Sequence, residues 1–209
     1  MWYWYAFLSA LGASASTLLE KRELKTQHSF EYAVLLAGVN LLLALPLLPW
    51  VKFLFEPYLL LAIYIASLLG TLALWFSTKA LRHMNVSQVA PLSGLNVLFT
   101  LLFATLFLGE RLSLSQILGI FLFLYSLWFL SQVDFLEEVL LHPLRALGER
   151  KDNFSYRGLM ILAMTFLGFA AILDKWVISR MGVISFIFLV HAGLFINHLL
   201  LYLLVNRRT

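Results

Sequence analysis

The chain of 209 residues has no cysteine. Disulfides, thiolate metal sites and cysteine nucleophiles are thereby excluded, although the absence does not fix a compartment. Charge is also scarce: Asp, Glu, Lys and Arg make up 12% of the residues, about half the share of an ordinary soluble domain. The apolar runs lack the strict two-residue alternation of a membrane barrel, which excludes strands as the spanning elements. What fills the chain instead is apolar. Hydrophobic residues are 62% of the sequence, and the mean hydropathy is +0.89. A soluble fold of this size has too little interior to hide them. These proportions exclude a soluble enzyme, a disordered chain and a nucleic-acid-binding domain, and they imply an integral membrane protein. The net charge is +4. Its basic residues stand singly between apolar runs, as topology and interface anchors do, and form no patch for nucleic acid.

A bilayer core of about 30 Å takes roughly 20 apolar residues as helix. Seven stretches qualify: 2–19, 31–51, 57–78, 86–108, 114–133, 158–178 and 183–205. Trp2-Tyr3-Trp4-Tyr5 reads as a headgroup-level anchor rather than a cleaved signal, with Trp50, Tyr58 and Tyr156 anchoring other span ends. One sustained polar segment, 134–157, divides the spans into five and two. Its first part, Asp134 to Arg145, has the pattern of an amphipathic helix, but a solvated linker is the simpler reading.

The sixth span resembles the first. Leu18-Leu19-Glu20-Lys21 matches Ile172-Leu173-Asp174-Lys175, Ser29-Phe30-Glu31-Tyr32 matches Ser185-Phe186-Ile187-Phe188, and Ala37-Gly38 matches Ala192-Gly193. The chain crosses five spans from the start of the first copy to the start of the second, an odd number, so the second copy is expected to be inverted through the membrane. Inverted repeats are a ground plan of secondary transporters.

A second pattern is more specific. Ser77-Thr78-Lys79-Ala80-Leu81-Arg82 ends one span, Pro91-Leu92 stands early in the next, and Leu108-Gly109-Glu110-Arg111-Leu112-Ser113 closes it. Gln116 and Gly119 follow early in the fifth span. This order and spacing resembles the EamA-type domain of the drug/metabolite transporter superfamily. The resemblance implies an all-α integral membrane protein of about seven transmembrane helices. Residues 1–133 would form one five-helix unit, 134–155 a polar linker, and 156–209 the first two helices of an inverted second unit. The family usually carries two complete units. A second Pro-Leu and Gly-Glu-Arg pattern is missing here along with three helices. The expectation is a truncated chain, or one that completes its cavity as a homo-oligomer or with a missing C-terminal half. The motif residues also have local explanations. Pro91 sits in the first turns of its span, Gly109 suits a helix C-terminus, Glu110 belongs to the turn, and Ser113 with Gln116 can form a capping box.

Polar side chains within the spans must face a bundle interior or a wet cavity. Ser93, Asn96 and Thr100 share one helix face. Ser9, Gly12, Ala13, Ser16 and Glu20 follow a three/four spacing, and Ser67, Gly70, Thr71 and Thr78 lie on the third span. The small ones suit close helix packing. Asn96 and Asn40 need partners at both ends of their amides, so they either line a cavity or tie helices together. Ser93, Asn96, Asn40, Thr71 and Trp75 are the candidate substrate-binding residues. Glu20-Lys21 and Asp174-Lys175 are the candidate gates, near opposite faces, with snorkelling at helix ends as the plainer alternative.

The transporter reading, as the resemblance implies, moves small metabolites, amino acids or amphipathic compounds by alternating access. Proton coupling would run through a carboxylate such as Glu20. It requires no cofactor and no metal. A non-transporting fragment or scaffold is the runner-up. An intramembrane enzyme lacks a GxSxG, an HExxH or paired aspartates within spans. His191 and His198 share a face, but no carboxylate joins them to complete a metal site. The side reached after the first span carries eleven Lys and Arg and the other four. That bias places the N-terminus outside, whereas the resemblance implies inside. A prokaryotic cytoplasmic (inner) membrane is the expected location.

Overall fold

The computed structural model describes residues 2–24, 28–52, 56–84, 86–131 and 153–206. Among these residues it is all-helical. In chain order the helices are α1 (Trp2–Glu23), α2 (Ser29–Ala44, continued by a 3₁₀ turn over Leu45–Trp50), α3 (Pro57–His83), α4 (Val86–Ser93), α5 (Leu95–Leu108), α6 (Leu114–Ser131), α7 (Asn153–Met181) and α8 (Val183–Asn206). Within the described residues, helices therefore form in all seven predicted stretches. Most of the segment expected to be a linker, including the Asp134 to Arg145 pattern, lies outside the described residues. Its last three positions belong to α7, because a helix can continue past its apolar window where the headgroup region solvates its polar first turn.

Five of these elements are long and apolar enough to cross a membrane: Ser29–Trp50, Pro57–His83, Gln88–Leu108, Tyr156–Met181 and Val183–Leu204, with a shorter apolar stretch at Leu114–Ser126. The helix α1 is outside that set. Its aromatic start, its serines and its Glu-Lys-Arg-Glu end dilute the apolar run.

The centre of the molecule is the seam between α3 and α7. Along α7 the residues Met160, Ala163, Ala170, Val177 and Met181 are buried, at the three/four and seven spacing of one helix face. On α3 the matching face is Ala62, Ile63, Ala66, Ala73 and Ala80. Small side chains allow the two backbones to approach, and in lipid the resulting van der Waals contact is what holds helices together. Two buried clusters mark the ends of the seam. One gathers Ala80, Leu81 and Met84 with Met160, Ala163 and Met164, the other Ala62 and Ile63 with Val177, Met181 and Phe186. The pairing of Ala80 with Met160 at one end and Ala62 with Val177 at the other makes the helices antiparallel. Asp174 shares the register of Ala170 and Val177 in this seam.

Two further crossings complete the bundle. A methyl on Gly168 of α7 would come within 2.6 Å of Phe99 Cβ and 3.0 Å of the Phe99 and Thr100 backbone of α5. Beside this contact, Phe169 meets Phe103 and Phe107 edge-on, with ring centroids 5.6 Å away in each case. On the other side, α8 lies against α2 and α3. Gly193 abuts Ser67, Gly70 abuts Leu194, and Gly38 abuts Phe195. Asn197 donates from Nδ2 to Ser67 Oγ at 3.2 Å.

The fourth predicted span is not one continuous helix. It breaks at Gly94, where the amide of Gly94 bonds the carbonyl of Pro91 at 3.2 Å and the amide of Val97 bonds that of Gly94 at 3.1 Å. Pro91 lies in the second turn of α4, three residues before the break, and its ring cannot extend the ladder. A methyl on Gly94 would lie within 2.7 Å of the Phe123 ring of α6. The break is thus a point of close approach as well as of lost hydrogen bonding.

Candidate functional site

A cavity of about 490 Å³ lies where α1, α3, α4 and α7 meet. That is within the size range of small-molecule sites. From α1 come Ala13, Ser14, Thr17, Leu18 and Glu20; from α3, Ser77 and Leu81; from α4, Val86, Val89, Ala90 and Ser93; from α7, Met160 and Met164. The first three helices belong to the N-terminal part of the chain and α7 to the C-terminal part. The cavity is mostly apolar, and its polar groups have a shared chemistry. Ser14 donates to the Ala10 carbonyl at 2.9 Å, Thr17 to Ala13 at 3.0 Å, Ser77 to Leu74 at 3.1 Å and Ser93 to Ala90 at 2.7 Å. Each hydroxyl proton is therefore held by its own helix, which satisfies it in the absence of water. Among the described residues, Glu20 is the one ionisable side chain in the wall. Within the same set its carboxylate has no hydrogen-bond or ion-pair partner.

The neighbouring Lys21 points elsewhere, as residues adjacent on a helix do. Its Nζ donates to the carbonyls of Leu81 at 2.5 Å, Arg82 at 3.0 Å and Met84 at 2.7 Å. These are carbonyls at the C-terminal end of α3, where no further helical turn supplies a donor and the helix dipole favours a cation. The side chain of Lys21 thus fastens the end of α1 to the end of α3.

Asp174 and Lys175 have different partners. Lys175 forms an ion pair with Glu110 of the Gly-Glu-Arg turn, and both side chains are largely exposed. One oxygen of Asp174 is buried without a partner among the described residues. The partners of the two lysines bracket the α4–α5 span. Met84 lies two residues before it and Glu110 two residues after.

The other candidate residues are dispersed. Of the five candidate substrate-binding residues, Ser93 lines the cavity. Asn96 is half-buried on α5, and its Oδ1 lies 3.4 Å from the Thr100 hydroxyl. Thr71 is fully buried, bonding the Ser67 carbonyl at 2.8 Å. Trp75 stacks on Phe76, with centroids 5.1 Å apart, and meets Phe30 at a tilt, 5.0 Å away. Asn40 is half-buried on α2. None of these four borders the cavity. In the motif turn, Gly109 ends α5 in the left-handed conformation, with φ 65°. Ser113 and Gln116 make the expected capping box: the Ser113 amide donates to Gln116 Oε1 at 2.8 Å and the Gln116 amide to Ser113 Oγ at 3.3 Å. Gly119 faces open space.

Sequence reasoning does not single out Ser14, Thr17, Ser77, Met160 and Met164 as lining residues. The signal is present in part: Ala13, Thr17 and Glu20 keep a four/three spacing, and Met160 and Met164 are one turn apart. Nothing in the spacing gives a reason to prefer that face of α1.

The long apolar helices define a multi-pass integral membrane protein, with a cavity of about 490 Å³ in its bundle. The model of the EamA-like transporter family matches residues 1–132, and the chain belongs to that family, whose members are membrane transporters. Comparison with curated proteins and with solved structures gives no match.

Proposed function

We propose that this protein moves small metabolites, amino acids or amphipathic compounds across the membrane by alternating access, with the cavity at α1, α3, α4 and α7 as its solute site. The observation that carries the reading is the composition of that wall. It joins three helices of a unit spanning 1–133 to a helix of a second unit spanning 156–209, so relative motion of the units would open or close it. The two units are inverted repeats, and Glu20-Lys21 and Asp174-Lys175 mark opposite mouths. The partners of Lys21 and Lys175 at the two ends of the α4–α5 span support this assignment. Pro91, Gly109, Glu110 and Gly119 shape the helix ends and turn rather than touch solute. Such a protein would sit in the cytoplasmic membrane of a prokaryote, and proton coupling would run through Glu20.

Purified chain reconstituted in proteoliposomes should exchange labelled amino acids or amphipathic amines by saturable counterflow, and Ser93→Trp, which fills the cavity, should abolish it. Inert vesicles containing folded protein would overturn autonomous transport. Because the chain has no cysteine, single cysteines at positions 20 and 174 can be labelled from one side at a time. Labelling of both from the same compartment would overturn the inversion.

A further inference from the structure

We infer that the solute carries a protonated amine on an apolar body, and that Glu20 is its counter-charge. This inference rests on the cavity being the solute site. The hydroxyls of Ser14, Thr17, Ser77 and Ser93 each give their proton to a carbonyl of their own helix. What each can offer the cavity is oxygen lone pairs. Glu20 adds a carboxylate, which is acceptor-only when ionised. Among the described residues, no side-chain amide, guanidinium, ammonium or imidazole is in the wall. A carboxylate or phosphate solute would meet no donor there, and a neutral alcohol would meet only half a match. An ammonium group has N–H donors alone and a charge opposite to that of Glu20, so it meets every polar requirement of the wall at once. The adjacent cation does not cancel Glu20 in this role, because Lys21 directs its ammonium to three carbonyls at the end of α3. The rest of the wall is aliphatic with two methionine thioethers, which adapt to an irregular apolar body.

The test is binding of three size-matched probes to the detergent-purified full chain: phenylbutylamine, phenylbutanol and phenylbutanoate. The amine should bind saturably, with the alcohol and the carboxylate weaker by about tenfold or more. Glu20→Gln should remove that preference and leave the three probes within about twofold of one another, while Glu20→Asp restores part of it. An unchanged melting temperature shows that each variant is folded. Equal binding of the three probes to the native chain, or an amine preference that survives Glu20→Gln, overturns the inference. If Ser93→Trp then still blocks all three, the cavity remains the solute site and only the charge assignment fails. If Ser93→Trp leaves amine binding intact, the site itself is wrong and both readings fall.

Discussion

The helices α1 and α7 share a sequence pattern, Leu-Leu-Glu-Lys in one and Ile-Leu-Asp-Lys in the other, yet they are held in opposite ways. Along its length α7 is packed against α3, and at Gly168 it touches the backbone of α5. Its lysine is exposed and pairs with a surface carboxylate. By contrast α1 has open space at Gly12 and exposed Phe7, Leu8, Leu11, Leu18 and Leu19. Its lysine reaches three backbone carbonyls of another helix. A helix packed along its length needs no polar anchor, whereas one exposed along much of its length relies on its end. The same dipeptide therefore does different work in the two places.

Four substitutions test how differently the two helices are held, read as unfolding free energies in detergent. Gly168→Ala should have the largest effect, a loss of about 3 kcal/mol, because the added methyl meets backbone that cannot move aside. Lys21→Met should cost about 2 kcal/mol, since charge-assisted hydrogen bonds to three carbonyls are lost. Lys175→Met should cost under about 1 kcal/mol, as expected for an exposed pair. A larger loss than that for Lys21→Met would reverse the contrast between the helices. Gly12→Ala should stabilise slightly, by about 0.5 kcal/mol, through helix propensity in open space. A destabilisation there would mean that α1 is packed after all.

Several features are legible in the amino-acid sequence alone. Apolar length marks each helix, because a bilayer demands it. The Ser113 and Gln116 capping box and the C-terminal Gly109 are legible because their bonds are local, within a few residues. The break at Gly94 is not, since it depends on Phe123 from another helix as well as on Pro91. Polarity correctly marks Thr71 and Asn96 as interior-facing but cannot say which gap they face. Thr71 is used up by its own helix, and Asn96 lies on α5 away from the cavity. The expectation that Gly12 and Gly70 both serve close packing divides in the same way: a methyl on Gly70 would lie 3.0 Å from Leu194, whereas one on Gly12 would meet nothing within 4 Å.

The amino-acid sequence alone is enough to place this chain in lipid, to mark where its apolar stretches turn helical, and to show which family it resembles. These follow from the cost of exposing backbone and charge to hydrocarbon, which acts on every residue regardless of its distant neighbours. Only the tertiary structure decided that Glu20 faces a cavity while Lys21 clasps the end of α3, and that four hydroxyls turn their oxygens toward the same space. Those outcomes depend on contacts between residues up to about 150 positions apart, and periodicity along one helix carries no information about which neighbour it will meet.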